Sequence, residues 1–211
     1  MSQWGTALRL FIILALITGV LYPLAMTLAG NVLMPEQASG SLIMANGTLV
    51  GSSLIEQTPF QVDENGQIVN LDAIAGYFWG RPSAMNAMLG STTHALGTSG
   101  GSNLGPTSAT LQAQVAVRES AFRAANHVPD GVAVPTDMLF ASASGLDPHI
   151  SPEAAYLQAE RVAEARSLPP AAVVSLVSQH VEQPWLTVFG KPRVNVLALN
   201  LALDELAASG G

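Results

Sequence analysis

Residues 142–149 read Ser-Ala-Ser-Gly-Leu-Asp-Pro-His, which places a nucleophile, an acid and a base within eight positions. A hydrolase needs those groups assembled in space, with the base oriented by a third group, so nearness along the chain is a weak signal. Neither Ser142 nor Ser144 stands in a Gly-x-Ser-x-Gly pattern. Asp147-Pro148 and Ser151-Pro152 read equally as turn and cap chemistry. Residues 97–107, Gly-Thr-Ser-Gly-Gly-Ser-Asn-Leu-Gly-Pro-Thr, admit two readings. Gly100, Gly101, Ser102, Asn103 and Gly105 form an anion loop ahead of a helix, or they form a turn whose Thr107 caps that helix. The Gly-Lys-Ser/Thr ending of a phosphate-binding P-loop is missing. His94, His127, His149 and His180 stand 33, 22 and 31 residues apart, and none pairs at i, i+4 as a helical metal site would. Cys is absent, which removes thiolate ligands, thiol nucleophiles and disulfides together. Lys191, the single lysine, sits in Gly190-Lys191-Pro192-Arg193 and reads as a solvated turn charge or a partner contact.

Tyr77-Phe78-Trp79-Gly80-Arg81-Pro82-Ser83-Ala84 is of another kind. Three adjacent aromatics followed by Arg and Pro are costly to expose, so they anchor an interface or end a strand buried in the domain itself.

These groups need elements to hold them. From Leu10 to Met34 run 25 residues without a charge, enough for a helix across the hydrocarbon core. Gly19 is small enough to let a second helix approach, and Pro23 leaves a backbone carbonyl without its donor. Arg9 precedes the stretch and the next basic residue is Arg81, so the amino terminus is expected inside and the remainder outside. A cleaved secretory signal is the competing reading, with Thr27-Leu28-Ala29 as its cut.

Beyond residue 35 lie all fifteen acidic residues and seven of the eight basic ones, a net of −8. That balance excludes a protein built to neutralise nucleic-acid phosphates. Charged residues are 11% of the chain, against about 25% in ordinary domains. Alanine occurs 31 times, which suits closely packed helices.

Leu42 to Ala45, Asn46-Gly47 and Thr48 to Val50 predict a hairpin, since Asn-Gly accepts the positive φ of a tight turn. A second turn is expected at Asp63 to Gly66, ahead of Ile68-Val69. Thr107 to Asn126 predicts a helix with Leu111, Val115, Phe122 and Ala125 on one stripe. Ser151-Pro152-Glu153 opens another helix, to about Arg166, with Ala155 and Val162 inward. Pro169-Pro170 stops that element before a short helix from Ala171 to His180. Leu186 to Phe189 predicts a strand. Val194 to Leu206 reads as a strand entering a helix or as helix throughout, and its Leu and Ala content favours helix. The expected fold is α+β: a short cytoplasmic terminus at 1–9, a transmembrane helix at 10–33, and one mixed extracytoplasmic domain at 34–211.

Several of these segments together resemble the C subunit of the bacterial Kdp potassium-transporting P-type ATPase. The resemblance is carried by Thr18-Gly19-Val20-Leu21-Tyr22-Pro23 and Gln37-Ala38-Ser39-Gly40-Ser41-Leu42-Ile43, and by residues 77–84 and 99–105. It continues through 141–151 and 194–204. Two departures stand out: Glu56 where the family usually has Gly after Leu-Ile, and a long stretch from Gln61 to Ala75. The resemblance implies a non-catalytic subunit in the bacterial inner membrane, with its C-terminal domain periplasmic. Its implied partners are a channel-like potassium-binding subunit, an ATP-hydrolysing P-type subunit and a small membrane subunit. ATP and potassium then belong to the complex, and no cofactor or metal to this chain. A role in raising the pump's ATP affinity is also implied, although the orientation set by Arg9 separates this domain from cytoplasmic ATP. Gly19, Tyr22, Pro23, Tyr77, Phe78, Trp79 and Arg81 are the expected partner contacts. A membrane-anchored serine hydrolase using Ser142 or Ser144 with His149 is the alternative.

Overall fold

The computed structural model describes residues 3–45, 47–56, 74–83, 99–184 and 190–209. The turn at 63–66, Ile68-Val69, Asn46, His94 and the strand expected at 186–189 lie outside them. Two compact units divide the chain, Met1–Ser52 and Ser53–Gly211.

The first unit is dominated by one continuous helix, α1 (Gln3–Leu33), whose apolar residues bury nothing within the chain. Its middle widens into a π turn, Ile17–Leu21, in which the Tyr22 N–H donates to the Ile17 carbonyl. Pro23 is the cause: it has no N–H, and its ring clashes with the carbonyl one turn back, so the helix widens instead of breaking. Thr18 donates its hydroxyl back to the Leu14 carbonyl at 2.8 Å. Met34 leaves helical geometry (φ −142°), and a single turn, α2 (Pro35–Ala38), follows. Strands β1 (Leu42–Ala45) and β2 (Thr48–Ser52) pair antiparallel, with a bulge after Ile43. Gly47 takes φ +76°, the conformation that made the turn legible.

The second unit packs helices against a small antiparallel sheet. Helix α3 (Ala109–Ala125) begins one residue later than the sequence suggests, because Ser108 accepts the Leu111 N–H at 3.3 Å and caps it in place of Thr107. Helix α4 (Pro152–Ala165) is capped by Ser151, which accepts from Ala154 while its own N–H and hydroxyl donate to Asp137. Helix α5 (Pro170–Gln179) follows after Pro169. Strands β3 (His149–Ile150) and β4 (Val181–Glu182) flank a central β5 (Arg193–Asn195). Helix throughout 194–206 is therefore corrected: residues 193–195 are strand and α6 (Val196–Ser209) starts after them. Val194 pairs with both Ile150 and Val181, and Asn195 then accepts the Ala198 N–H at 3.1 Å, ending the strand and capping the helix.

Alanine makes the helices fit. Ala154, Ala155, Ala159 and Ala163 of α4 are buried in one core with Val162, with Val173 and Val177 of α5 and with Leu199 and Leu203 of α6. Short side chains let axes approach closely, at the low end of ordinary interhelical distances. Ile150, Val194, Phe122 and Phe78 complete the same core.

Candidate functional site

Phe78 and Trp79 sit in that core, fully and almost fully buried. Of the two readings of the aromatic run, the structure therefore takes the internal one for these residues, and they offer no surface to a partner. Their backbone has no strand beside it among the described residues. Instead, Asn200 of α6 accepts the Phe78 N–H at 2.8 Å and returns its amide N–H to the Phe78 carbonyl at 3.0 Å. Gln158 of α4 does the same for Trp79, at 2.7 and 3.2 Å. Successive residues of an extended chain aim their polar groups to opposite sides, so two helices flanking the segment satisfy both residues.

Two arginines of α4 and its C-cap hold the turn that delivers this segment. Arg161 is buried, and its described hydrogen bonds all go to neutral groups. They are Asn126 at 2.8 Å, Gln158 at 2.9 Å, and the carbonyls of Ile74, Ala75 and Tyr77. Its guanidinium also lies 4.1 Å from the centre of the Trp79 ring. Burial lowers its pKa to about 10, still charged at any physiological pH. Arg166 stacks on Tyr77 at 4.3 Å, donates to the Gly76 carbonyl at 2.6 Å and pairs with Asp204 at 2.6 Å.

Past Trp79 the segment enters a polar cluster. Arg81 pairs with Asp147 at 2.8 Å, and Asp147 also faces His149 Nδ1 at 3.4 Å and accepts the His149 backbone N–H. The His149 side chain is the largest influence holding Asp147 down at about 2, with its backbone N–H and Arg81 adding to it against burial. Glu56 reaches the same cluster: its carboxyl occupies the place where a Cβ on Gly80 would stand. Burial, and then the charge of Asp147, push Glu56 up to about 8, and Arg81 only partly opposes them. Glu56 Oε1, Arg81 Nε and Ser142 Oγ are buried without a hydrogen-bond partner among the described residues.

The serine–histidine reading finds no support in this geometry. Ser142 Oγ is buried with no histidine bonded to it, and Ser144 Oγ accepts the Leu146 N–H at 3.1 Å. Asp147 and His149 are neighbours, but Asp147 is shared with Arg81. In the Gly-rich stretch, the Gly100 N–H and the Ser99 hydroxyl both donate to the Ser144 carbonyl, at 2.8 and 2.9 Å. Gly101 runs so close to Ala143 that an added Cβ would stand 3.1 Å from its carbonyl oxygen. Asn103 takes a positive φ, and the Ser108 N–H donates to the Gly105 carbonyl as the chain enters α3. Residues 99–108 are thus a turn fastened to 142–145, with the N–H of Gly100 already engaged.

Sequence reasoning missed Glu56, Gln158, Arg161 and Asn200 as organising residues. A usable signal existed for two of the helical three. Gln158 falls four residues after Ala154 and four before Val162, on the buried stripe, and Asn200 lies three before Leu203. A polar side chain at a core position needs internal partners.

An apolar helix with no buried residue, followed by a helix-and-sheet unit, defines the class: a candidate single-pass membrane protein carrying a mixed α/β domain. Comparison with known proteins narrows this. The family described as K+-transporting ATPase, c chain (KdpC), matches residues 4–205, and the chain belongs to that family. It is similar to the potassium-transporting ATPase KdpC subunit of Polaromonas naphthalenivorans, 50% identical over 200 residues, covering 95% of this chain and 93% of the other. The corresponding subunit of Dechloromonas aromatica is 49% identical over 202 residues, covering 95% and 96%. That of Nitratidesulfovibrio vulgaris is 50% identical over 194 residues, covering 92% and 88%.

Proposed function

We propose that this chain is the membrane-anchored assembly subunit of an ATP-driven potassium uptake complex. On this reading α1 crosses the inner membrane with its amino terminus in the cytoplasm, and the unit beyond it lies outside. Its partners are a channel-like potassium-binding subunit, a P-type subunit and a small membrane subunit. The observation that carries the reading is the uninterrupted α1 with its π turn. Gly19 offers no side chain, and Pro23 withholds the N–H that a neighbouring carbonyl would accept, at the same level of the helix. An open face and an under-satisfied carbonyl in hydrocarbon favour a second helix packed there, with Tyr22 beside it. The subunit names of the relatives point the same way. The chain itself carries out no chemistry on this reading, and any effect on the pump's ATP affinity passes through partners rather than by nucleotide contact.

Affinity purification of this chain from potassium-starved membranes tests the proposal. Co-purification of a P-type ATPase is expected, and its loss in Gly19→Leu with Pro23→Ala; arrival of the chain alone would overturn it. A second reading, that the net −8 beyond residue 35 concentrates cations at the entrance, makes a separate claim. Replacing several acids with Asn or Gln should weaken apparent potassium affinity at low ionic strength, and an unchanged affinity would sink it.

A further inference from the structure

The hairpin that follows α1 carries an exposed apolar face. Leu42 and Met44 lie two apart on β1, and Leu49 pairs directly with Met44 on β2. They are 54%, 60% and 54% exposed. No charged residue occurs from Gln37 through Ile55.

Its position along the helix axis is constrained. With Arg9 at one face of the hydrocarbon, about 30 Å at 1.5 Å per residue brings the opposite face to about residue 29. At that level the chain turns back. Ala38 would have continued upward had the helix gone on, but Met34 breaks it, and Ala38 Cβ stands 3.9 Å from where a Cβ on Gly30 would lie. The Ser41 N–H donates to the Glu36 carbonyl at 2.8 Å, and the Ser52 hydroxyl closes the hairpin root onto the Gly40 carbonyl at 2.7 Å. The turn that leads into both strands thus comes back to the level of Gly30 at Ala38, and the hairpin is closed onto that turn at Gly40.

From this geometry we infer that the Leu42–Met44–Leu49 face of the hairpin is seated in the interfacial layer of the bilayer, as a second, monotopic contact with lipid beside the helix exit. The inference rests on α1 spanning the membrane. Three half-exposed side chains offer roughly 300 Å², well short of the ~800 Å² per partner typical of a stable protein interface. Such a patch is sufficient for shallow insertion among acyl chains and headgroups, where an uncharged segment carries no desolvation penalty for ions. The helix exit also lacks the aromatic and basic anchors common at membrane boundaries: residues 23–52 contain no Trp, Tyr, Lys or Arg. The hairpin supplies an anchor there by apolar insertion.

A chain without cysteine allows single-site labelling. Nitroxides at Met44→Cys and, independently, Leu49→Cys would be placed in the full chain in phosphatidylcholine–phosphatidylglycerol vesicles, and in the intact complex in the same lipid. Leu14→Cys reports on the span and Ser178→Cys on water. Collision with oxygen should exceed collision with a nickel chelate at positions 44 and 49, as at 14, and the order should reverse at 178. Water-like behaviour at 44 and 49 with lipid-like behaviour at 14 would overturn the hairpin contact while leaving the span intact. Water-like behaviour at all four positions would overturn both. Low collision with both reagents at 44 and 49 in the complex would show a protein partner covering the face, and would also overturn the inference.

Discussion

Glu56→Gln should flatten the pH dependence of stability between pH 5 and pH 8. Glu56 is pushed up to about 8 in the folded chain, chiefly by burial, against an ordinary value of 4.5. The native state therefore holds a proton that the unfolded chain releases. Stability from this group is fully present below about pH 4.5 and is lost as pH rises toward 8. Each tenfold change in proton affinity corresponds to about 1.4 kcal/mol, so the loss between pH 5 and 8 amounts to about 3–4 kcal/mol. For a chain of this length that is a fall in Tm of roughly 10 °C. Glutamine has the shape of the protonated acid and does not ionise. Thermal unfolding of the full chain in detergent, followed by near-UV circular dichroism at half-unit pH steps, reads the effect. Other groups titrate in both proteins, so the difference between the two curves isolates Glu56. Parallel curves from pH 5 to 8 would refute the account of a carboxyl kept neutral by burial and by Asp147.

Three further substitutions probe the frame. Arg161→Ala should cost about 3 kcal/mol or more in denaturant unfolding, because it strands the Asn126 amide oxygen and the carbonyls of Ala75 and Tyr77; Arg161→Lys should recover little, having no fork to reach them together. Asn200→Leu should cost about 2 kcal/mol or more by leaving the Phe78 N–H and carbonyl unpaired in the core, and should speed amide exchange at Phe78 relative to Trp79. Gly101→Ala should lower stability by about 1–2 kcal/mol, since a fixed backbone carbonyl on Ala143 must shift, with Tm as the measure.

Much of the frame is local and could be read without coordinates. The hairpin follows from Asn46-Gly47 between apolar runs, the start of α4 from Ser151-Pro152-Glu153, and α1 from uncharged length. Each signal lies within a few residues of the structure that it produces. The same holds for Ser108 taking the cap expected of Thr107: the chemistry was right and the position off by one. Residues 193–195 were harder. Leu and Ala content favours helix, but pairing with Ile150 and Val181 draws three residues into a strand, and Ile150 in particular is far away in sequence.

The composition determined that no thiol chemistry and no phosphate-neutralising surface are available, and the uncharged run from Leu10 determined a helix long enough for a bilayer. The motifs of the family were also legible. Only the tertiary structure decided where the aromatic run goes. Residues 77–79 look equally like a surface anchor or a core strand, because their burial depends on Gln158 and Asn200 arriving from two distant helices to satisfy the backbone. The same is true of Glu56, which as a sequence letter is one more acid. Its neutral state near pH 7 comes from a buried position against Gly80 and beside Asp147, a matter of solvation and distance that no local pattern encodes.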